Sequence, residues 1–487
     1  MMETVALPVW LVVAAGIIVV LAVLDRLLVP SVRWFLRSRT NKVLDEVSKR
    51  LQVEIRPFQQ SGRQALIDRL VYDDGVQEAA REFAATEGVP REVAMQSVAR
   101  YAREIVPAFN AYIYFRVGYW IGRTVSRSLY RIRVGFTDDQ GLASVPPNAT
   151  VVFVMNHRSN MDYIIASYLA SERAALSYAV GEWARIWPLQ QLIRSMGAYF
   201  VRRNSRDPLY RRVLERYVSM ATEAGVTQAV YPEGGLSRDG RLREPKLGVV
   251  DYMLRGFAPD GPRDLVFIPV ALNYDRTLED RTLLASADPS AVRPSGLRAA
   301  GTALAFLIKQ VGLAMRKRWH RHGYACVNFG TPVSMKTYVA AQAIDFRTLG
   351  KDDRQREVAR LGKHLMDRVG RLVPVLPVPL VAMAFIRAGD RALSSLELKA
   401  SIAQLVRTLE AEGAHVYVPR QDWDYAVGVG LRMLVMRRLV TEQQGLFVAT
   451  AAEMPLLSYY ANSIVHLLPE AETVAPDPAG PLPAVAT

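Results

Sequence analysis

Seven consecutive residues, Asn156-His157-Arg158-Ser159-Asn160-Met161-Asp162, set an imidazole and a carboxylate five positions apart. On one continuous helix the two side chains would point about 140° away from each other. The run before them, Thr150 to Met155, is short, apolar and β-branched, which predicts a buried strand, and Asp162 to Leu169 reads as the start of a helix. Across a strand-to-helix turn the carboxylate can reach one imidazole nitrogen and leave the other free. A neutral histidine oriented by an acid is what a general base for a hydroxyl group requires. A capping aspartate beside a structural histidine would have the same spacing.

Three further clusters follow in order. Gly197 to Val201 is capped by Arg202 and Arg203. Tyr231-Pro232-Glu233-Gly234-Gly235-Leu236-Ser237-Arg238 is followed by Lys246. Phe267 and Ile268 lead into Pro269 and Val270. Arginines offer bidentate geometry to a phosphate dianion, and glycines let backbone N–H groups approach it. Singly, each cluster is an ordinary turn or a solvated surface.

The elements that must position these residues alternate. Gln228 to Tyr231, Leu265 to Val270 and Tyr324 to Phe329 read as strands separated by helical segments, which predicts an α/β sheet with helices on its faces. Residues 31–100 are charged and helical in pattern, with Arg91 to Arg103 amphipathic. Leu372 to Ile386 is apolar, but Pro374, Pro377 and Pro379 interrupt it, so it reads as a buried connector. Residues 390–468 read as a small helical domain, periodic from Leu393 to Glu412 and basic and amphipathic from Leu431 to Leu439. From Glu470 onward Pro, Ala and acidic residues predict a disordered tail.

Thr4 to Leu24 carries no charge over 21 residues and can cross about 30 Å of hydrocarbon as a helix. Acidic Glu3 before it and Asp25-Arg26-Leu27-Leu28 after it argue for an uncleaved anchor over a signal peptide. Arg33, Arg37, Arg39 and Lys42 then place the following residues on the cytoplasmic side.

Half of the 487 residues are hydrophobic, which excludes a mostly disordered chain. The net charge of +14 points to anionic partners. A mean hydropathy of +0.06 lies between soluble enzymes and polytopic membrane proteins. The single cysteine, Cys326, excludes a disulfide framework and a multi-cysteine zinc site. No histidine grouping has metal-ligand spacing. His320 and His322, beside Arg316, Lys317 and Arg318, read as part of a solvated basic face. Between Glu104 and Asp138 there is no acidic residue, while Phe109, Tyr112, Tyr114, Phe115, Tyr119, Trp120 and Tyr130 interleave with five arginines ending at Arg133. That composition suits a helix in the headgroup layer of an anionic membrane surface; a nucleic-acid face or a core helix with a basic side would look alike.

Taken together, the four clusters resemble the four-block signature of the glycerolipid acyltransferase family, and most of all its bacterial glycerol-3-phosphate acyltransferases. The likeness rests on His157-Arg-Ser-Asn-Met-Asp-Tyr163, Gly197 to Arg203 with Pro208-Leu-Tyr210, Glu233-Gly-Gly-Leu-Ser-Arg238 with Gly240-Arg-Leu242, and Pro245-Lys-Leu-Gly248. It extends to Val327-Asn-Phe-Gly330 and Leu457 to Asn462, and so covers about residues 100–465. The chain is expected to lack much of the long N-terminal region of the larger members.

The resemblance implies an α/β fold, a mixed sheet flanked by helices, with an N-terminal transmembrane helix and helical N- and C-terminal regions. The expected divisions are a membrane anchor at 1–30, a helical region at 31–100, a catalytic domain at 101–345, a helical domain at 346–469 and the tail at 470–487. It implies transfer of an acyl group from acyl-CoA or acyl carrier protein to the sn-1 hydroxyl of glycerol 3-phosphate, without cofactor, metal or nucleic acid, at the cytoplasmic face of the cell membrane. His157 would be the base and Asp162 its orienting acid. Arg203, Arg238 and Lys246 would hold the phosphate, Glu233 and Gly234 would shape the site, and Pro269 would lie on the acyl-donor side. Where the family usually has an arginine this chain has Leu236, for which Arg158 or Arg202 would have to substitute. Acylation of lysophosphatidic acid or dihydroxyacetone phosphate, and a catalytically inactive lipid-binding scaffold, are the competing readings.

Overall fold

The computed structural model describes residues 56–170, 175–181, 189–202, 205–286 and 322–469. The anchor expected at Thr4 to Leu24, His320, and the tail at 470–487 lie outside the described residues. Among the described residues no helix is long and apolar enough to cross a membrane.

The chain builds an eight-stranded mixed sheet from β1 (Arg131–Thr137), β2 (Thr150–Met155), β3 (Ser177–Val180), β4 (Tyr199–Phe200), β5 (Gln228–Val230), β6 (Leu265–Tyr274), β7 (Tyr324–Phe329) and β8 (Val333–Ser334). Their order is β1-β7-β6-β2-β5-β3-β4, with β8 on β6. Only β6–β7 and β6–β8 are antiparallel; the other pairs are parallel. β2 and β6 are central and covered on both faces, which is why Val151 to Met155 and Leu265 to Leu272 are continuously apolar. All ten residues of β6 are buried.

Helices cover both faces. On one, Asp74–Glu87, Arg91–Ile105, Pro208–Glu223, Gly248–Arg255 and Lys351–Arg371 share a core with Val152, Val154 and Phe267. On the other, Tyr119–Leu129 and Met161–Ala170 pack with Met155, Ile268 and Val270. Tyr119–Leu129 continues directly from a π-helical turn, Ile113–Gly118.

Several elements differ from the expectation. The aromatic-basic stretch is helical only to Leu129; Arg131 and Arg133 belong to edge strand β1. β6 runs four residues past Val270, because Ala271 to Tyr274 pair with β7. The C-terminal region is not purely helical. Its helices Pro377–Ala388, Ser395–Ala411, Trp423–Met436 and Met454–Ala461 are joined by a small antiparallel sheet of β9 (Leu393–Ser394), β10 (Val440–Gln443) and β11 (Leu446–Ala449). The proline-interrupted connector is itself a buried helix, since Pro377 and Pro379 occupy its first turn, where no backbone donor is needed. Its start is pinned by Asp275, whose carboxylate accepts from Val378 N at 3.0 Å and from Tyr324 N at 2.8 Å. His322 is not on a solvated face: it is buried against Tyr130, and burial beside Arg276 and Arg437 pushes its imidazole down to about 4.

The C-terminal region docks on the sheet through backbone. Gly240 has φ +88°, and a Cβ there would overlap the Tyr459 carbonyl; Asn462 Nδ2 donates to Asp239 O at 2.9 Å beside it. Gly413, with φ +77°, faces open space. Gly240→Ala is therefore expected to lower unfolding stability by about 3 kcal/mol, and Gly413→Ala by about 1 kcal/mol, in parallel denaturant titrations. Equal losses would show that the Gly240–Tyr459 contact does not hold the two regions together.

Candidate active site

β2 ends at Met155 and the next helix begins at Met161, so His157 lies on the turn between and Asp162 in the first turn of the helix. The Asp162 carboxylate turns back over that turn, as capping side chains do. Its Oδ2 accepts from His157 Nδ1 at 2.9 Å, Arg158 N at 2.7 Å and Ser159 N at 3.0 Å. Its Oδ1 accepts from the Tyr274 hydroxyl at the end of β6. His157 is 3% exposed and Asp162 fully buried. Among the described residues, His157 Nε2 has no hydrogen-bond partner. The imidazole is walled by Tyr231, with ring centroids 4.4 Å apart, and meets Tyr163 edge-on at 5.1 Å. One nitrogen is thus oriented and the other left for chemistry.

The glycine-rich turn after β5 is fastened to this histidine. His157 N donates to Glu233 Oε1 at 2.8 Å, and Ser237 N donates to His157 O at 3.1 Å. Glu233 also accepts from Arg243 N at 3.2 Å, and burial pushes its carboxyl up to about 7. Gly234 needs its φ of +65°, because the Lys246 side chain lies across it. Arg238 and Lys246 are exposed on this turn; Arg238 donates to Ser286 O at 3.2 Å. The rim of the site is basic.

An apolar cavity of about 290 Å³ opens against Asn160, Met161 and Tyr163, the last of which meets the His157 ring. Asn160, Tyr163 and Glu279 line it on the side of the His157 turn, and Gly118, Ile121 and Met196 also line it. Glu279 holds the turn from this side, accepting from Ser159 Oγ at 2.7 Å and Asn160 N at 3.2 Å. The arrangement offers an oriented base, a cationic rim and an adjacent apolar space, the parts needed to join an anionic alcohol to an apolar chain.

Two family models match this chain. Residues 137–273 match the family model described as Acyltransferase, and residues 308–475 match that of the Glycerol-3-phosphate acyltransferase C-terminal region. The chain is similar to glycerol-3-phosphate acyltransferases over both of these regions. The glycerol-3-phosphate acyltransferase of Xanthomonas campestris pv. campestris is 26% identical over 437 residues, 85% of this chain and 47% of that protein. The one from Pseudomonas putida is 27% identical over 426 residues, 84% of this chain and 49% of that protein. The chain spans about half the length of these curated relatives. A solved structure, the 1-acyl-sn-glycerophosphate (LPA) acyltransferase from Thermotoga maritima, aligns with 52% of this chain and 78% of its own at 16% identity, with a TM-score of 0.29.

The residues singled out from sequence fall into three groups. His157, Asp162, Glu233 and Gly234 come together, with Arg238 and Lys246 on the same turn. Pro269 lies in β6 opposite Val154 of β2, and its carbonyl accepts from Gly330 N at 2.9 Å. Arg158 and Arg202, expected to substitute for a missing phosphate-side cation, have protein partners in this structure. The buried Arg158 guanidinium donates to Gly240 O and lies 5.3 Å from the Tyr459 ring centre. Arg202 forms a bidentate pair with Glu104 at 2.9 and 2.6 Å between Tyr101 and Tyr210, which holds it above its ordinary value. Arg203 lies outside the described residues. Leu236 packs with the apolar cluster of the C-terminal helices.

Sequence reasoning missed Tyr274 and Glu279, which lie 112 and about 120 positions from the turn they bond. The only local sign of Tyr274 is a polar pair, Asn273 and Tyr274, closing an apolar strand. The raised Glu233 carboxyl has a consequence for stability. A folded-state value above the ordinary 4.5 means that the folded protein binds the proton more tightly than the unfolded one. This contribution is fully present below about 4.5 and is lost as pH rises toward about 7. Thermal melts between those limits should show the wild type losing roughly 2–3 kcal/mol relative to Glu233→Gln. Parallel curves for the two proteins would refute it.

Proposed function

We propose that this chain is a membrane-bound glycerol-3-phosphate acyltransferase, moving a fatty acyl group from acyl-CoA or acyl carrier protein to the sn-1 hydroxyl to give lysophosphatidic acid. The observation that carries this reading is the buried His157–Asp162 pair, whose Nε2 has no hydrogen-bond partner among the described residues, with a basic turn bonded to the His157 backbone and an apolar cavity lined by Asn160, Met161 and Tyr163. The relatives bearing that enzyme's name add support over the part of their length that this chain matches.

In the reaction, Nε2 of His157 takes the proton of the sn-1 hydroxyl as its oxygen bonds to the thioester carbonyl carbon. The tetrahedral adduct then collapses, the carbon–sulfur bond breaks, and the imidazolium returns the proton to the leaving thiolate. Asp162 holds the imidazole and favours its cationic form in between. No acyl-enzyme is needed: Cys326 is buried in β7, where burial pushes its thiol up to about 12. Arg238 and Lys246, joined by Arg203, hold the phosphate, and Glu233 and Gly234 shape their turn. The cavity takes the acyl chain, with Pro269 on the donor side.

Purified protein given palmitoyl-CoA and glycerol 3-phosphate should form lysophosphatidic acid. His157→Ala should lower kcat by roughly 10²–10⁴-fold with an unchanged melting temperature. Arg238→Ala should mainly raise KM for glycerol 3-phosphate, leaving that for palmitoyl-CoA nearly constant. Near wild-type turnover by His157→Ala would sink the assignment. Acylation of lysophosphatidic acid in preference to glycerol 3-phosphate would move it to another acceptor.

The membrane side of the proposal rests on two features. Thr4 to Leu24 serves as a single-pass anchor, with the catalytic domain on the cytoplasmic side. Arg116, Val117, Trp120, Arg123 and Arg127 form one exposed stripe along the helix whose inner side lines the cavity. An exposed tryptophan among arginines suits anionic headgroups. A protein lacking residues 1–30 should therefore still sediment with phosphatidylglycerol vesicles at low salt. Adding Trp120→Ala and Arg123→Glu should abolish that binding; persistence would show that this face does not contact lipid.

A further inference from the structure

We infer that Tyr274 is a positioning residue for His157, acting through Asp162, and this inference rests on the acyl-transfer reading of the site. Three N–H groups share Oδ2 of Asp162, whereas among the described residues Oδ1 has one partner, the Tyr274 hydroxyl. The carboxylate is fully buried, so solvent cannot replace a lost donor there. A carboxylate can only accept, so the phenol donates. Burial and the neighbouring Asp162 hold that phenol well above its ordinary range, which keeps the proton on it.

Tyr274 cannot easily turn away. Its backbone is the last residue of β6, in register with Ala325 of β7. Its ring packs on Tyr130 with centroids 5.2 Å apart, and the Tyr130 hydroxyl is itself held by Arg276 O at 2.7 Å. The bond therefore joins the catalytic turn to a rigid strand. It fixes the carboxylate about its side-chain torsion, and with it the direction of His157 Nε2.

Other charged or titratable groups face the pair from every side. His157 and Arg158 lie on the same turn, the latter bonding through its backbone. Glu233 and Tyr231 come from the glycine-rich turn, Glu279 from beyond β6, and Tyr130 from before β1. None of them reaches Oδ1. Losing the phenol destabilises the anionic pair more than the protonated one, since a hydrogen bond to a carboxylate is strongest when the charge is full. The apparent pKa shared by His157 and Asp162 therefore rises in Tyr274→Phe.

The test uses the full chain with ¹³C-labelled histidine, the His157 signal being identified by its loss in His157→Gln. Tyr274→Phe keeps the ring on Tyr130 and removes only the hydroxyl. Its His157 titration should move to higher pH by at least half a unit. Its kcat should fall roughly ten- to hundred-fold with KM for both substrates unchanged, and the acid limb of kcat should shift the same way. In an Asp162→Asn background the same substitution should change kcat by less than two-fold. An unmoved His157 titration, or equal losses of kcat in the two backgrounds, overturns the inference and leaves Tyr274 a packing residue. Should the wild type fail to acylate glycerol 3-phosphate, the functional reading falls while the His157 titration still decides the role of Tyr274.

Discussion

A single buried carboxylate organises the centre of this protein. Taking Asp162 out of water would cost several kcal/mol if its lone pairs were left empty. Four donors fill them: an imidazole, two consecutive backbone N–H groups and a phenol. That requirement dictates much around it. The two N–H groups demand a tight turn directly between β2 and the following helix. The imidazole must come from the first residues after the strand. The phenol must come from a neighbouring strand long enough to reach past the end of β2, and β6, at ten residues, is that strand.

The turn that carries His157 is then clamped from outside by the rest of the chain. Glu233 and Ser237 tie the basic glycine-rich turn to both sides of the His157 backbone, so the cations on that turn and the imidazole move as one unit. Gly240 and Arg158 carry the linkage onward to Tyr459 in the C-terminal helices. The region matched by the acyltransferase model and the region matched by the C-terminal model thus meet at the loop that carries Arg238 and Gly240. Leu236 belongs to that contact. An apolar residue there packs against the C-terminal cluster, where a charged one would have to be solvated.

The helix from Ile113 to Leu129 has two faces with different duties. Gly118, Ile121 and Gly122 turn inward to the cavity, while Arg116, Trp120 and Arg123 are exposed. Its first turn is π-helical, a geometry frequent at functional sites, and Gly118 leaves just enough room for Met196: a Cβ there would lie 3.0 Å from the Met196 methyl. The cavity and the basic surface are therefore two sides of one element.

Local pattern was enough for what depends on near neighbours. The strand Thr150–Met155, the helix after it and the meeting of His157 with Asp162 across the turn follow from residues within ten positions of one another, where backbone geometry leaves few options. The glycine-rich turn was legible for the same reason. Tertiary structure decided everything that depends on charge pairing over distance. Arg158 and Arg202 look as available as Arg238 in sequence, but Glu104 and Gly240 claim them. His322 sits in a basic run yet is buried, because its ring packs on Tyr130 and its backbone N–H is held by Leu129 O. Tyr274 gives no local sign of its partner, since strand order alone brings β6 beside β2. Periodicity reports which face of an element is covered; only the folded chain determines by what.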